Sequence, residues 1–259
     1  MGVRWLLLPV TLVCYTAKVI HLQAPLKLSK LDNDKTLYKI HLVVNGQPID
    51  SVIDTGSTGL VVANKNALRK TKSCKTSPVQ CAFQSEWKVN FVVCYGDGTG
   101  YFVQPDAGVD ITFGNVPKTK IMLGRAVGVF DPDGSMLTGG DQVFESVFGF
   151  GAHGGQDCSF SQKDAVTDIL NSLHLPIIWS LRSVTATGEG RLYLGTSFPL
   201  FHISESQQYT GLIQYAGRYS TILSGLIVSS IGARTKSSTQ KFTPLECVLD
   251  TGAHVHGCL

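Results

Sequence analysis

The sequence predicts an all-β fold, and three observations support this prediction. The chain of 259 residues contains 27 glycines and only 16% charged residues, a composition that favours strands and tight turns over helical bundles. Runs rich in β-branched and aromatic residues recur, separated by glycine, asparagine and aspartate. Only residues 161–176 have the apolar spacing of an amphipathic helix, which Pro176 ends. The predicted apolar face of this helix consists of Ala165, Ile169, Leu170 and Leu173.

The first predicted element is a hairpin at residues 37–54, LYKIHLVVNGQPIDSVID. Asn45 and Gly46 predict its turn because both residue types tolerate a positive φ. Further strands are predicted, in chain order, at residues 60–64, 88–103, 108–116, 118–129, 143–151, 177–183, 190–195 and 209–215.

The N-terminus has the layout of a secretory signal peptide. Residues 1–17 contain one arginine followed by about a dozen apolar or small residues, a stretch too short to span a bilayer. We expect cleavage near Ala17; a buried N-terminal strand or a signal anchor is the alternative. Removal of Cys14 would leave six of the seven cysteines, enough for three disulfides in an exported protein. Pairing is not readable from sequence, but Cys74 and Cys81 are the best local pair.

The charge of the chain argues against nucleic acid as a partner. The formal net charge is only +3, and the most basic stretch, RKTKSCK at residues 69–75, has the pattern of a solvated loop.

One motif occurs twice: VIDTGSTG, which contains Asp54, and VLDTG, which contains Asp250. Each has an apolar strand leading into an aspartate, and Gly56 or Gly252 then lets the backbone bend so that nearby amides can reach the carboxylate. The two aspartates are 196 residues apart (250 − 54), so any duplication is on the scale of a domain. Two coincidental turn tripeptides are the alternative, since Asp and Gly are frequent in turns.

Two such loops facing each other would have a defined chemistry. Neighbouring carboxylates cannot both ionise easily, so they share one proton. The ionised carboxylate can then take a proton from water while the protonated one polarises a carbonyl. The hydroxyls of Thr55 and Thr251 could bond across to the opposite loop. This arrangement hydrolyses amides with no covalent intermediate, metal or cofactor.

Other chemistries fit the sequence less well. GFGAHG at residues 149–154 satisfies the glycine spacing of a dinucleotide site, but no helix pattern opens there. The metal-ligand residue types Cys247, His254, His256 and Cys258 surround a motif that is already explained. We therefore predict no metal and no cofactor.

With these motifs in view, the chain resembles the pepsin-like aspartic endopeptidases, which are secreted and two-lobed. VIDTGSTG resembles the first catalytic loop of that family, VLDTG the second, and VCYGDGTG at residues 93–100 the flap that closes over substrate. SVFGFG at residues 146–151 resembles the strand that locks the first loop from behind, and GRLYLG and YTGLIQY resemble strands entering the second lobe. The resemblance runs from about Leu37 to Leu259.

The resemblance implies an endopeptidase that hydrolyses peptide bonds between extended, largely apolar residues at acidic pH. It also implies an extracellular or acidic vacuolar-type location, a peptide or protein substrate, and no membrane contact beyond the signal peptide. In that family Ser57 would hydrogen-bond Asp54, and Tyr95 would be the flap tyrosine. The implied site residues are the catalytic Asp54 and Asp250, the supporting Thr55, Gly56, Ser57, Thr251 and Gly252, and the substrate-binding Tyr95, Gly96 and Asp97.

The sequence also departs from the family pattern. Only nine residues follow Asp250 (259 − 250), so we expect a complete N-terminal lobe and an incomplete C-terminal lobe. Ala253 stands where a hydroxyl residue is common, which would shift the pH response of the dyad. Val61 and Val62 stand where an aromatic residue is common. The expected segments are a signal peptide at 1–17, a short pro-like or linker segment at 18–36, the N-terminal lobe at 37–185 and a partial C-terminal lobe at 186–259.

Two alternatives to this enzyme remain open. The first is a catalytically inactive, secreted remnant of the fold that binds or inhibits peptides. The second is a homodimer in which two Asp54 loops form the dyad, so that activity survives Asp250→Ala but not Asp54→Ala.

Overall fold

The computed structural model describes the larger part of the chain: residues 22–30, 36–74, 80–81, 87–95, 98–131, 144–151, 164–184, 189–195, 213–215, 218–228 and 238–248. β-Strands dominate these residues, so the predicted all-β class is confirmed. The strands are β1 (Leu22–Lys30), β2 (Thr36–Val44), β3 (Gln47–Asp54), β4 (Thr58–Ala63), β5 (Thr71–Ser73), β6 (Phe91–Cys94), β7 (Gly100–Phe113), β8 (Val116–Asp131), β9 (Ser146–Phe150), β10 (Trp179–Val184), β11 (Glu189–Leu194), β12 (Ile213–Tyr215), β13 (Arg218–Val228) and β14 (Ser238–Val248). The helices are α1 (Lys65–Leu68) and α2 (Ala165–Ser172).

Strands β1–β11 form one mixed sheet. Its order is β10-β11-β1-β2-β3-β9-β4-β8-β7-β6, with β5 paired to β8. A further pairing joins β2 to β7, at Val43 opposite Thr112 and Val44 opposite Ile111. This pairing closes a ring of six strands, β2-β3-β9-β4-β8-β7, so each of the six is hydrogen-bonded to the strand before it and the strand after it in the ring. Strands β12, β13 and β14 form a separate antiparallel sheet.

The predicted hairpin at residues 37–54 is present as β2 and β3. Its turn residues have positive φ values, 47° at Asn45 and 81° at Gly46, as a two-residue hairpin turn requires. The side-chain oxygen of Asn45 also accepts the backbone N–H of Asp110 at 3.0 Å, and the Asn45 N–H donates to the Asp110 carbonyl at 2.8 Å. The turn thus ties β2 and β3 to β7.

The main hydrophobic core combines side chains of the large sheet with those of α2. Fully buried side chains from the strands include Ile40, Leu42, Ile53, Ile111 and Phe148. Helix α2 packs on β4, β8 and β9 with a face made of Ala165, Val166, Ile169 and Leu170.

The predicted helix is confirmed, although it spans fewer residues than the pattern indicated. Asp164 caps its N-terminus by accepting the N–H groups of Val166 and Thr167 at 3.0 and 3.1 Å. The helix ends at Ser172, where Leu173 is only partly buried. Residues 161–163 lie outside the described part of the chain.

Two smaller clusters continue the core. What we call the second cluster consists of Val61, Ala63, Ala67, Phe91, Tyr101, Val103, Ala126, Val129 and Val147. A third cluster joins Val92, Phe102 and Phe130 to the disulfide between Cys74 and Cys81, and this disulfide confirms the predicted local pair.

Several elements were not predicted. Strand β1 lies within the segment 18–36 and pairs with β2 and β11, while α1, β5, β13 and β14 lie outside the predicted elements. Of the predicted strand at 209–215, residues Ile213–Tyr215 form β12. Among the described residues, no helix has the length and apolar character needed to span a membrane.

Candidate active site

Asp54 is the last residue of β3, and its carboxyl group is buried. The strand passes from exposed residues at its start to four buried residues at its end, and Asp54 is only 6% exposed. The N–H of Gly56 donates to Asp54 Oδ1 at 2.8 Å. This hydrogen bond holds the carboxyl group in the tight turn that the Asp-Thr-Gly sequence predicts, and Thr55 in the same turn is also buried.

Strand β9 lies between β3 and β4 and supports this turn from behind. It runs parallel to β3, with Gly149 opposite Asp54, and antiparallel to β4, with Gly149 opposite Gly59. The N–H of Gly151 donates to the Ser57 carbonyl at 2.7 Å. The expected strand behind the first Asp-Thr-Gly loop is present at Ser146–Phe150, one residue shorter than the motif at residues 146–151.

Gly149 has no room for a side chain. A Cβ at this position would lie 2.5 Å from the Ser57 carbonyl oxygen and 2.6 Å from the carbonyl carbons of Ser57 and Thr58. All three atoms belong to the backbone of the Asp54 loop, so the loop can approach β9 only where β9 has glycine.

Two buried serines behind the loop were not predicted from the sequence. Ser51 Oγ and Ser146 Oγ lie 2.8 Å apart, with exposed fractions of 0% and 1%. Ser146 donates its hydroxyl proton to the Val61 carbonyl at 3.0 Å, so Ser51 must donate to Ser146. The three residues belong to β3, β9 and β4, and their hydrogen bonds therefore link all three strands that hold the Asp54 loop.

The β6–β7 hairpin carries the predicted flap. Its turn is closed by the N–H of Tyr95, which donates to the Thr99 carbonyl at 2.8 Å, and by the N–H of Gly98, which donates to the Tyr95 carbonyl at 3.0 Å. The φ of Gly98 is 86°, a value that glycine adopts readily. Gly96 and Asp97, the predicted substrate-binding residues at the tip, lie outside the described part of the chain.

Tyr95 packs on the second cluster, which also contains Val61 of β4 and Val147 of β9. Its ring meets Tyr101 edge to face, with ring centres 5.8 Å apart. Tyr101 is itself fixed, because its buried hydroxyl donates to the Phe144 carbonyl at 2.7 Å. Burial raises the pKa of Tyr101 far above its usual value, so this hydroxyl keeps its proton. The predicted flap tyrosine thus rests on the strands that hold Asp54.

The second half of the predicted site lies outside the described residues. This applies to Asp250, Thr251 and Gly252, although β14 ends at Val248, so a strand leads towards the second motif as it does towards the first. The predicted hydrogen bond from Ser57 to Asp54 stays a prediction. In the described ranges, no three His, Cys, Asp or Glu side chains are grouped so that they could hold a metal ion.

No protein-family model matches the chain, and no curated protein is significantly similar to it.

Proposed function

We propose that the protein is an aspartic endopeptidase with a pepsin-like, two-lobed architecture, in which Asp54 and Asp250 activate a water molecule. The observation that carries this proposal is the setting of Asp54. A carboxyl group is brought to the end of a buried strand and fixed by the Gly56 N–H at 2.8 Å. A strand whose glycine admits no side chain supports the same loop from behind.

Such a setting suits general acid–base catalysis better than a structural role. Carboxylates are seldom buried unless a specific partner compensates for lost hydration. The hydrogen bond from Gly56 replaces part of the hydration that the Asp54 carboxyl group loses on burial, and a second carboxyl group from Asp250 would share one proton with it. The pair then needs acidic pH, because one of its two carboxyl groups must be protonated to polarise the substrate carbonyl.

The β6–β7 hairpin supplies a cover for an extended peptide. Tyr95 stands at the start of its turn, and its ring packs on the cluster that contains Val61 and Val147. Closure of such a hairpin would exclude bulk solvent from the substrate, keep the one reacting water molecule in place and position the scissile bond. Gly96 and Asp97 would contact the substrate backbone.

The proposed location is extracellular or an acidic vacuolar-type compartment, reached through a signal peptide at residues 1–17. The disulfide between Cys74 and Cys81 supports this, since disulfides persist mainly in oxidising compartments. Cys94, next to Tyr95, is disulfide-bonded as well.

Cleavage of a quenched peptide by the purified, oxidised chain tests the proposal, measured from acidic to neutral pH with and without a pepstatin-type inhibitor. Asp54→Asn should lower kcat about 10³-fold, the scale of a lost general acid–base group. Asp50→Asn is the matched control: Asp50 lies on the same strand, but it is exposed and paired with His41 at 2.9 Å. It should cleave at the rate of the unmodified chain.

The Asp250→Asn variant separates the proposal from its alternatives. Loss of cleavage in this variant supports the dyad of Asp54 and Asp250. Retained cleavage would indicate two Asp54 loops in a homodimer, which the oligomeric state in solution would then reveal. A folded chain that binds peptides without cleaving them would refute the enzyme and favour a binding module.

A further inference from the structure

The register between β3 and β9 is not set by hydrophobic alternation. All five residues of β9 are buried, and the last four residues of β3 are buried as well. Alternation fixes register only where one face of a strand is buried and the other is solvated. In a strand buried on both faces, a shift by one residue exchanges one apolar side chain for another, so another feature must select the pairing.

A shifted register would be incompatible with the Asp54 loop. In the observed register Asp54 lies opposite Gly149, with Phe148 and Phe150 on either side. A shift by one residue would bring one of these phenylalanines against the backbone of Ser57 and Thr58. Even a single Cβ would come within 2.6 Å of that backbone, so the loop would have to move away.

The hydrogen bond between the two buried serines also depends on the register of β3 and β9. Val52 pairs with Val147 in the observed register, which makes Ser51 and Ser146 the next pair along the ladder. Their hydroxyls meet at 2.8 Å only in this register. Any shift would separate them and leave hydroxyl groups buried among apolar side chains without a partner, which is unfavourable.

We propose that Ser51 and Ser146 are positioning residues whose buried hydrogen bond selects the register that places Asp54 opposite Gly149. A single buried polar residue sets register in this way in coiled coils, at a cost in stability. The inference rests on the proposed function only where it assigns a consequence for catalysis. The register itself can be tested without any activity.

The test compares Ser146→Ala, Ser51→Ala and the double variant in the full, oxidised chain. Ser146→Ala removes both hydrogen bonds and leaves the Ser51 hydroxyl buried, so its unfolding equilibrium constant should rise about five- to thirtyfold. The double variant leaves neither serine hydroxyl unpaired, and its equilibrium constant should return to within about fivefold of the unmodified chain. Thr119→Val is the control, because Thr119 is buried on β8 and its hydroxyl has no hydrogen-bond partner among the described residues.

The decisive measurement is the NMR spectrum of backbone amides in chains labelled with 15N at glycine. With the serine pair removed, Gly56 and Gly149 should each show a second amide signal from the shifted register, while Thr119→Val shows one. A purely stabilising pair would give one signal for each glycine in the double variant, and that result would overturn the proposal.

The activity measurement adds a quantitative requirement. Only the register with Gly149 opposite Asp54 forms the catalytic loop. If a given fraction of the double variant gives the second set of amide signals, its kcat should therefore be lower by that same fraction, and its KM should be unchanged. An unchanged kcat beside two sets of signals would also overturn the proposal. If the unmodified chain cleaves no peptide, the proposed function fails, and the amide signals alone decide the question of register.

Discussion

Replacement of Gly149 by alanine is the most direct perturbation of the Asp54 loop. The new methyl group would lie 2.5–2.6 Å from three backbone atoms of residues 57 and 58, whereas non-bonded carbon atoms rest about 3.5 Å apart. The loop must therefore retreat by about 1 Å, because backbone atoms cannot rotate out of the way as a side chain can. Overpacking of this kind costs about 1–3 kcal/mol of the free energy of unfolding.

On the proposed function, the same displacement should reduce catalysis. A misplacement of about 1 Å at a reacting group costs about a hundredfold in rate, so kcat of Gly149→Ala should fall about a hundredfold at a temperature where the variant is fully folded. Urea unfolding measures the stability, and peptide cleavage at acidic pH measures kcat.

Gly108→Ala provides a control of similar stability cost. Gly108 has a φ of +72°, and no atom outside residues 107–109 lies within 4 Å of the position that an added methyl group would take. Alanine there therefore costs about 1–2 kcal/mol through its backbone conformation alone. This variant should lose stability and keep kcat. Equal kcat values in the two glycine variants would refute the claim that Gly149 is required by the position of the Asp54 loop.

Three further predictions concern the rest of the described chain. Tyr101→Phe removes the hydrogen bond to the Phe144 carbonyl and should lower the free energy of unfolding, measured in urea, by about 1 kcal/mol. Because burial raises the pKa of Tyr101, its hydroxyl ionises above pH about 10 only in the unfolded chain, which lowers the stability of the unmodified chain but not of the variant. The stability difference between the two chains should therefore narrow above that pH. Two lysine ammonium groups that hydrogen-bond Asp110 lower the pKa of its carboxyl group, so Asp110→Asn should be less stable than the unmodified chain at neutral pH. The two chains should become equally stable once acid has protonated Asp110 in both the folded and the unfolded state. A stability difference that persists in strong acid would contradict this cause. The double replacement of Cys74 and Cys81 by serine removes a disulfide between residues seven positions apart. It should lower the free energy of unfolding by about 2.5 kcal/mol, because the unfolded chain regains the entropy lost by closing a loop of that length. An unchanged urea midpoint would contradict this prediction.

The features predicted correctly are those determined by neighbouring residues. The turn at Asn45 and Gly46 follows from the positive φ that both residues tolerate, and α2 follows from apolar spacing. The pair Cys74 and Cys81 follows from a short separation. Each involves a few consecutive residues, so no knowledge of the distant chain is needed.

The structural features that the sequence did not predict either depend on residues far apart in the chain or are too short to show a periodic pattern. Ser51 and Ser146 are visible as serines in apolar strands, but their meaning needs the pairing of segments 95 residues apart. Helix α1 is a single turn, too short for periodicity to reveal. Strand β1 does alternate at Leu22, Ala24, Leu26 and Leu28, a signal that could have been read despite the proline between them.

The position of the Gly149 strand between β3 and β4 has a consequence for how the protein acquires its fold during synthesis. β3 and β4 are neighbours in sequence, separated by the Asp54 loop, yet they do not pair with each other. The strand that fills the gap emerges from the ribosome about 95 residues later, so until then two apolar strands have unsatisfied edges. Such edges recruit wrong partners and aggregate, and contacts this distant in sequence form slowly. The nascent chain therefore passes through a long interval in which the Asp54 carboxylate, buried in the folded protein, has no enclosure, and chaperone protection in that interval should govern the yield of folded protein.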